Sequence, residues 1–251
     1  MSSMFDLTGK VALVTGANTG LGQGIALALA EAGADIAAAG IVPADDTGVK
    51  IKALGRKFIN IEANLGSVEP IDRIVAETLA GLGGLDILVN NAGLIRRQDA
   101  VDFSEKDWDD VMNVNIKGAF FMAQAAGKHM IAKGSGKIIN IASMLSFQGG
   151  IRVPSYTASK SGIAGITRLL ANEWGSKGIN INAIAPGYMA TDNTAQIRAD
   201  EVREKAILDR IPAARWGVPA DLGGTAVFLA APASDYVNGA IIPVDGGWLA
   251  R

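Results

Sequence analysis

Tyr156 and Lys160 stand four residues apart in Pro154–Trp174, a stretch whose composition reads as a helix. At that spacing two side chains share one helix face. A free phenol ionises near pH ~10 and is a poor base at neutral pH. An ammonium a few ångströms away favours phenolate and lowers that value. Such a pair can exchange a proton with an alcohol or carbonyl oxygen. Ser143 ends the apolar run Lys137–Ala142, 13 residues before Tyr156, where its hydroxyl can reach the same oxygen. A serine at that place serves about as often to cap the following turn.

A second cluster of chemistry lies near the start. Thr15-Gly16-Ala17-Asn18-Thr19-Gly20-Leu21-Gly22 joins a short β-branched run, Val11–Thr15, to an Ala/Leu-rich helical stretch. Glycines in a strand-to-helix turn let backbone amides approach a pyrophosphate, and the helix start offers unpaired N–H groups and partial positive charge. The motif gains weight from lying between the first strand and first helix of an alternating pattern. The second strand ends in Ala39-Gly40-Ile41-Val42. It offers neither the acid that meets the adenosine ribose of NAD nor the arginine that meets the phosphate of NADP. With no Arg or Lys inside the turn, NAD is favoured over NADP. Asn90-Asn91-Ala92-Gly93 closes the fourth strand, and Asn115 falls within a helical stretch, where an amide is ordinarily just a polar face.

These groups need elements to position them. Strands are expected at Val11–Thr15, Asp35–Ala39, Lys57–Ile61, Leu85–Val89, Lys137–Ala142, Ile179–Ile184 and Ala240–Val244. Helices are expected at Gly20–Ala32, Ser67–Leu82, Ser104–Lys133, Pro154–Trp174 and Ala220–Ala230. Short apolar strands alternating with helices require crossovers and parallel pairing. An open doubly wound sheet or a closed eight-fold barrel would suit the length. About seven strands and no eight-fold repeat favour the first, an α/β Rossmann-type sheet with helices on both faces. No linker divides the 251 residues, so one domain is expected. The long irregular stretch from Tyr188 to about Arg215 reads as a substrate lid.

Composition excludes other classes. Apolar residues are 49% of the chain and 23 basic residues face 25 acidic, so a core can form and no basic excess calls for nucleic acid. There is no cysteine and one histidine, His129, which removes thiolate, disulfide and multi-histidine metal chemistry; no metal is expected. No targeting signal or membrane span is visible, and a cytoplasmic protein is the default.

The Thr15–Gly22 turn, Asn90–Gly93, Asn115, Ser143, Tyr156 with Lys160, Pro186-Gly187 through Thr191, and Asp245-Gly246-Gly247 together resemble the short-chain dehydrogenases/reductases over essentially the whole length. The resemblance implies a nicotinamide cofactor and a homotetramer. Tyr156 would be the general acid/base, with Lys160 lowering its pKa and holding the nicotinamide ribose. Ser143 would orient the substrate oxygen, and Asn115 would retain a water that relays protons to Lys160. Gly16, Asn18, Thr19, Gly20, Leu21 and Gly22 would hold the pyrophosphate. Gly40 and Ile41 would meet the adenosine ribose and Asn64 and Leu65 the adenine, Asn64 standing where the family often has aspartate. Asn91, Ala92 and Gly93 would lie along the cofactor, and Pro186, Gly187, Met189 and Thr191 at its nicotinamide end.

Leu94–Arg97, Phe103–Asp110, Ser143–Tyr156 and Asp235–Asn238 resemble the family's dehydrogenases of six-carbon deoxy sugar acids, used in pectin and uronate breakdown. A sugar acid needs a cation for its carboxylate, and arginine suits bidentate binding. Arg96, Arg97 and Arg152 fall on loops beside the catalytic elements, with Gln148 on the loop of Arg152. Arg152 or Arg96 is the expected anchor. The alternatives are another reductase of the family, such as a 3-oxoacyl-carrier-protein reductase, and a non-catalytic nicotinamide-binding sensor. Trp108, Trp174, Trp216 and Trp248 are expected in core or interface.

Overall fold

A computed structural model describes residues 4–251. Seven strands form one parallel sheet: β1 (Val11–Thr15), β2 (Asp35–Gly40), β3 (Phe58–Glu62), β4 (Ile87–Asn90), β5 (Gly136–Ile141), β6 (Ile179–Pro186) and β7 (Ile241–Val244). Their order is β3-β2-β1-β4-β5-β6-β7. The expected doubly wound architecture is therefore the one observed. The strand order runs outward in opposite directions from β1 and β4, which pair directly, as Leu13 does with Leu88. In such sheets ligands settle at the carboxyl ends of the strands beside that switch point.

The helices are α1 (Gly20–Glu31), α2 (Asp45–Ala53), α3 (Ile71–Leu82), α4 (Glu105–Met112), α5 (Ala119–Lys133), α6 (Pro154–Trp174), α7 (Ala195–Arg198), α8 (Glu201–Leu208) and α9 (Gly223–Ala230). Alternation along the strands feeds two cores. In β1, Ala12 and Val14 pack on one face with Ile25, Leu29 and Leu229 of α1 and α9. Val11 and Leu13 pack on the other with Ile74, Met122 and Leu170 of α3, α5 and α6. Burying strands on both faces leaves them continuously apolar.

Three sequence expectations change. α2 was not anticipated: Asp45 and Asp46 place acids in its first turn, which suits a helix start, but its short, mostly polar run carries little periodic signal. Ser104–Lys133 is not one helix. Ser104 caps α4 by accepting from the Asp107 amide, as a capping box would, but a π-helical turn, Asn113–Gly118, separates α4 from α5. Such turns sit mostly at functional sites. The stretch from Tyr188 to Arg215 is not irregular but carries α7 and α8. Ile197, Ile207 and Ile211 anchor it on Met144 and Trp248.

Candidate active site

The carboxyl ends of the strands open into a cleft of about 820 Å³, within the range of cofactor and ligand sites. Its floor follows from the loops that leave the sheet: Gly16 after β1, Gly40 at the end of β2, Asn91 after β4, Ser143 after β5 and Gly187 after β6.

The glycine turn is shaped for close approach. Gly16 and Gly20 hold φ of 66° and 57°, backbone that favours glycine. A β-carbon on Gly22 would collide with the Gly16 carbonyl and the Asn91 amide, which fixes how tightly α1 sits on the turn. Thr19 precedes α1 without a side-chain cap, and no acidic residue occupies the first turn. The helix therefore presents its first amides and its positive end to the cleft, the environment an anionic pyrophosphate requires. These residues fit a dinucleotide. Thr15 and Asn91 brace the turn from beneath. The Thr15 hydroxyl accepts from the Asn91 and Ala92 amides at 3.0 and 2.9 Å. The Asn91 side chain donates to the Thr15 and Gly16 carbonyls at 2.9 and 3.0 Å.

Asn18, Thr19, Leu21, Ile41, Asn64, Leu65, Ala92, Gly93 and Thr191 also line the cleft, with Tyr156 and Lys160. Pro186 and Met189 do not. Pro186 ends β6 inside the sheet, paired with Val244, and Met189 is buried and bridges to Gly217.

Ser143, Tyr156 and Lys160 meet where α6 passes the end of β5. Lys160 is buried and donates through Nζ to the Ile141 carbonyl at 2.6 Å. Its Nζ lies 5.5 Å from the Tyr156 ring centre. Burial lowers the Lys160 pKa from 10.5 to about 8. Tyr156 moves the other way: desolvation raises its phenol above 10.0, and the Ser143 hydroxyl and Arg97 charge pull back against it. In the protein alone, burial therefore outweighs the groups that pull the phenol down. Here a buried phenol faces an amine whose pKa burial has lowered to about 8, a pair able to pass a proton to or from an oxygen. The Ser143 hydroxyl accepts from the Leu145 amide at 3.2 Å, as a cap would, and keeps its hydrogen to donate.

Asn115 lies behind the wall, its side chain bonded to neighbouring groups. Its Oδ1 accepts from the Leu94 amide at 2.8 Å, and its Nδ2 donates to the Leu94 carbonyl at 2.9 Å and the Ser159 hydroxyl at 3.3 Å. The side chain pins the loop after β4 to α6. The π-helical turn gives this buried amide its reach, a geometry the helical pattern did not disclose.

The arginine expectation needs correction. Arg96 is paired with Asp107 at 3.2 Å and Asp110 at 3.6 Å, and Arg152 with Asp99 at 2.9 Å. Neither lines the cleft, because their carboxylates hold them on the outer surface. Gln148 does line it and accepts from Trp248 Nε1 at 3.2 Å. The cations on the wall besides Lys160 are Arg97, Arg203 and Arg210. Of these the sequence singled out only Arg97. Arg203 and Arg210 lie in the stretch read as irregular, where no periodic pattern could aim them. Trp248, near the carboxyl end, is buried and also on the wall.

Residues 16–249 match the family model described as "Enoyl-(Acyl carrier protein) reductase". With this sheet and the Ser143–Tyr156–Lys160 cluster, the chain belongs to the short-chain dehydrogenase/reductase family, the nicotinamide-dependent oxidoreductases. Within it, the chain is 66% identical to 2-dehydro-3-deoxy-D-gluconate 5-dehydrogenase of Escherichia coli (strain K12), covering 99% of each. A solved structure from Agrobacterium tumefaciens, provisionally named 2-deoxy-d-gluconate 3-dehydrogenase and holding NADP, is 56% identical, with a TM-score of 0.94 and 100% of each chain covered. Gluconate 5-dehydrogenase from Burkholderia cenocepacia J2315, in complex with NADP and tartrate, is 36% identical with a TM-score of 0.94, covering 99% of this chain and 98% of that one.

Proposed function

We propose that this chain interconverts a secondary alcohol and a ketone on a six-carbon deoxy sugar acid, with 2-dehydro-3-deoxy-D-gluconate oxidised at carbon 5 as the leading substrate. The observation that carries this reading is the Tyr156–Lys160 pair beside Ser143 at the end of β5, on a cleft whose far end is built for a dinucleotide. The identity with the Escherichia coli enzyme supports the substrate class. Tyr156 Oη holds or gives the proton of the carbinol oxygen, and Ser143 donates a hydrogen bond to that oxygen. Lys160 exchanges the proton with its surroundings, and Asn115 holds the loop after β4 in place. A bound nicotinamide would accept or supply the hydride; Gly16–Gly22, Asn91–Gly93 and Lys160 would hold it. Among the described residues no group of His, Asp or Glu is placed to hold a metal.

NAD is the preferred cofactor in this reading. Gly40, Ile41, Val42, Asn64 and Leu65 form the ribose end of the cleft, and none is cationic. Asp45 and Asp46 begin α2 just beyond it. A phosphate on the ribose would meet no opposite charge there. The Agrobacterium and Burkholderia structures hold NADP, so this preference needs its own test. The substrate lid is the 188–215 segment, and the assembly is a homotetramer in the cytoplasm, in keeping with a cysteine-free chain. No helix among the described residues is long and apolar enough to cross a membrane.

The test follows the appearance of reduced nicotinamide by absorbance, with a panel of deoxy sugar acids and NAD or NADP. The expected result is turnover of 2-dehydro-3-deoxy-D-gluconate with kcat/KM for NAD at least about tenfold that for NADP, roughly one charge-assisted contact. No turnover of any sugar acid with either cofactor would refute the reading.

A further inference from the structure

Arg96 and Arg152, which the sequence offers for a carboxylate, are already neutralised by Asp107, Asp110 and Asp99. The cleft wall nonetheless carries three other guanidinium groups, Arg97, Arg203 and Arg210. Arg97 donates to the Asn193 carbonyl at 3.2 Å and adds positive potential at the Tyr156 phenol. That places it on the side of the reacting oxygen. Arg203 and Arg210 belong to the facing segment. Arg203 lies on α8 and Arg210 two residues beyond its end, with Ile207 between them on the same face, packed into the cluster with Ile211 and Trp248. Ile207 thereby turns both arginines towards the cleft.

Arg210 is held in a manner the others are not. Its guanidinium carbon lies over Trp248, 3.9 Å from the ring centre. Trp248 is in turn fixed by its Nε1 bond to Gln148, on the loop between Ser143 and Tyr156. Stacking orients a guanidinium without using its N–H groups. Neither Arg203 nor Arg210 has a carboxylate partner or a side-chain hydrogen bond among the described residues, although Asp192 is on the same wall. An unneutralised fork of donors in the same cleft as the proton-transfer group matches the bidentate geometry of a carboxylate.

We infer that Arg210, presented by Trp248, binds the carboxylate of the substrate, with Arg203 adding to the same positive field. This rests on the sugar-acid reading above and deepens it. In 2-dehydro-3-deoxy-D-gluconate the carboxylate is four bonds from carbon 5, so the acid end points away from Tyr156 and towards the facing wall. Recognition of the acid is then built into the lid. A substrate without the charge would lose the contact that holds the 188–215 segment over the site.

The experiment uses the intact protein with saturating NAD and two probes that differ only in charge, 2-dehydro-3-deoxy-D-gluconate and its carboxamide. Arg210→Gln is expected to raise KM for the acid at least about tenfold, the scale of one charged hydrogen bond. KM for the amide and the affinity for NADH, read by fluorescence, should stay within about twofold. Arg210→Lys keeps the charge without the fork and should fall between. An unchanged KM for the acid, or an equal rise for the amide, would overturn the inference while leaving the functional reading intact. Wild-type protein that turns over neither probe nor any other sugar acid would instead strike the reading itself, and the inference with it.

Discussion

Along one wall of the cleft, Asn91, with Thr15 and Asn115 behind it, gives its side chain to neighbouring backbone, and glycines leave room only for a close ligand. On the facing wall, Arg203 and Arg210 face the cleft with no carboxylate or hydrogen-bond partner among the described residues, on a segment anchored by a small cluster of its own. The first wall hangs from β1 and β4 at the centre of the sheet. The second is joined to the sheet through Met144, Trp248 and the ends of β6 and β7. A wall whose polar groups are internally satisfied offers fixed geometry, and one whose donors are free offers charge and selectivity. On the proposed reading, the same sheet separates a half shaped for the cofactor from a half that selects the substrate.

The largest test of that division is Tyr156→Phe. It removes the proton carrier from the fixed wall and leaves the remaining geometry in place. Turnover should fall by about 10²–10⁴, the range for a positioned acid/base, while NADH still binds with wild-type affinity. Turnover within about tenfold of wild type would show that the proton is carried elsewhere.

A smaller effect comes from pH. Lys160 is charged below about 8 and neutral above it. Taking a proton from an alcohol becomes easier as Lys160 loses its own. For the free enzyme, kcat/KM for oxidation should rise about tenfold per unit up to an inflection near 8 and then level, while reduction of the ketone should be level up to the same inflection and fall about tenfold per unit above it. The inflection should vanish in Lys160→Met. An inflection that persists in that variant would assign it to another group.

Much of this was legible in the chain. The Tyr156–Lys160 spacing, the glycine turn and Ser143 at a strand end are local patterns, and each depends on one strand-to-helix junction. The doubly wound parallel sheet followed from alternation and the need for crossovers, whose geometry admits few arrangements. What remained hidden depends on long-range contact. Arg96 looks like Arg97 in sequence, and only the positions of Asp107 and Asp110 on α4 remove it from the site. Arg210 carries no motif, and its orientation comes from Trp248, distant in the chain. The raised phenol reflects burial, a property of the packed site rather than of any pair of residues. α2 and the π-helical turn were missed because both are short and neither changes the hydrophobic period enough to register.

The central claim is direct transfer of hydrogen from a carbinol of a sugar acid to a nicotinamide held on the glycine-rich wall. It is tested most directly by incubating the protein with NAD and 2-dehydro-3-deoxy-D-gluconate deuterated at carbon 5, then reading the recovered nucleotide by proton NMR. The account predicts deuterium at carbon 4 of the reduced nicotinamide ring, on one face only. Reduced nucleotide without deuterium, or no reduced nucleotide from this acid, would contradict it.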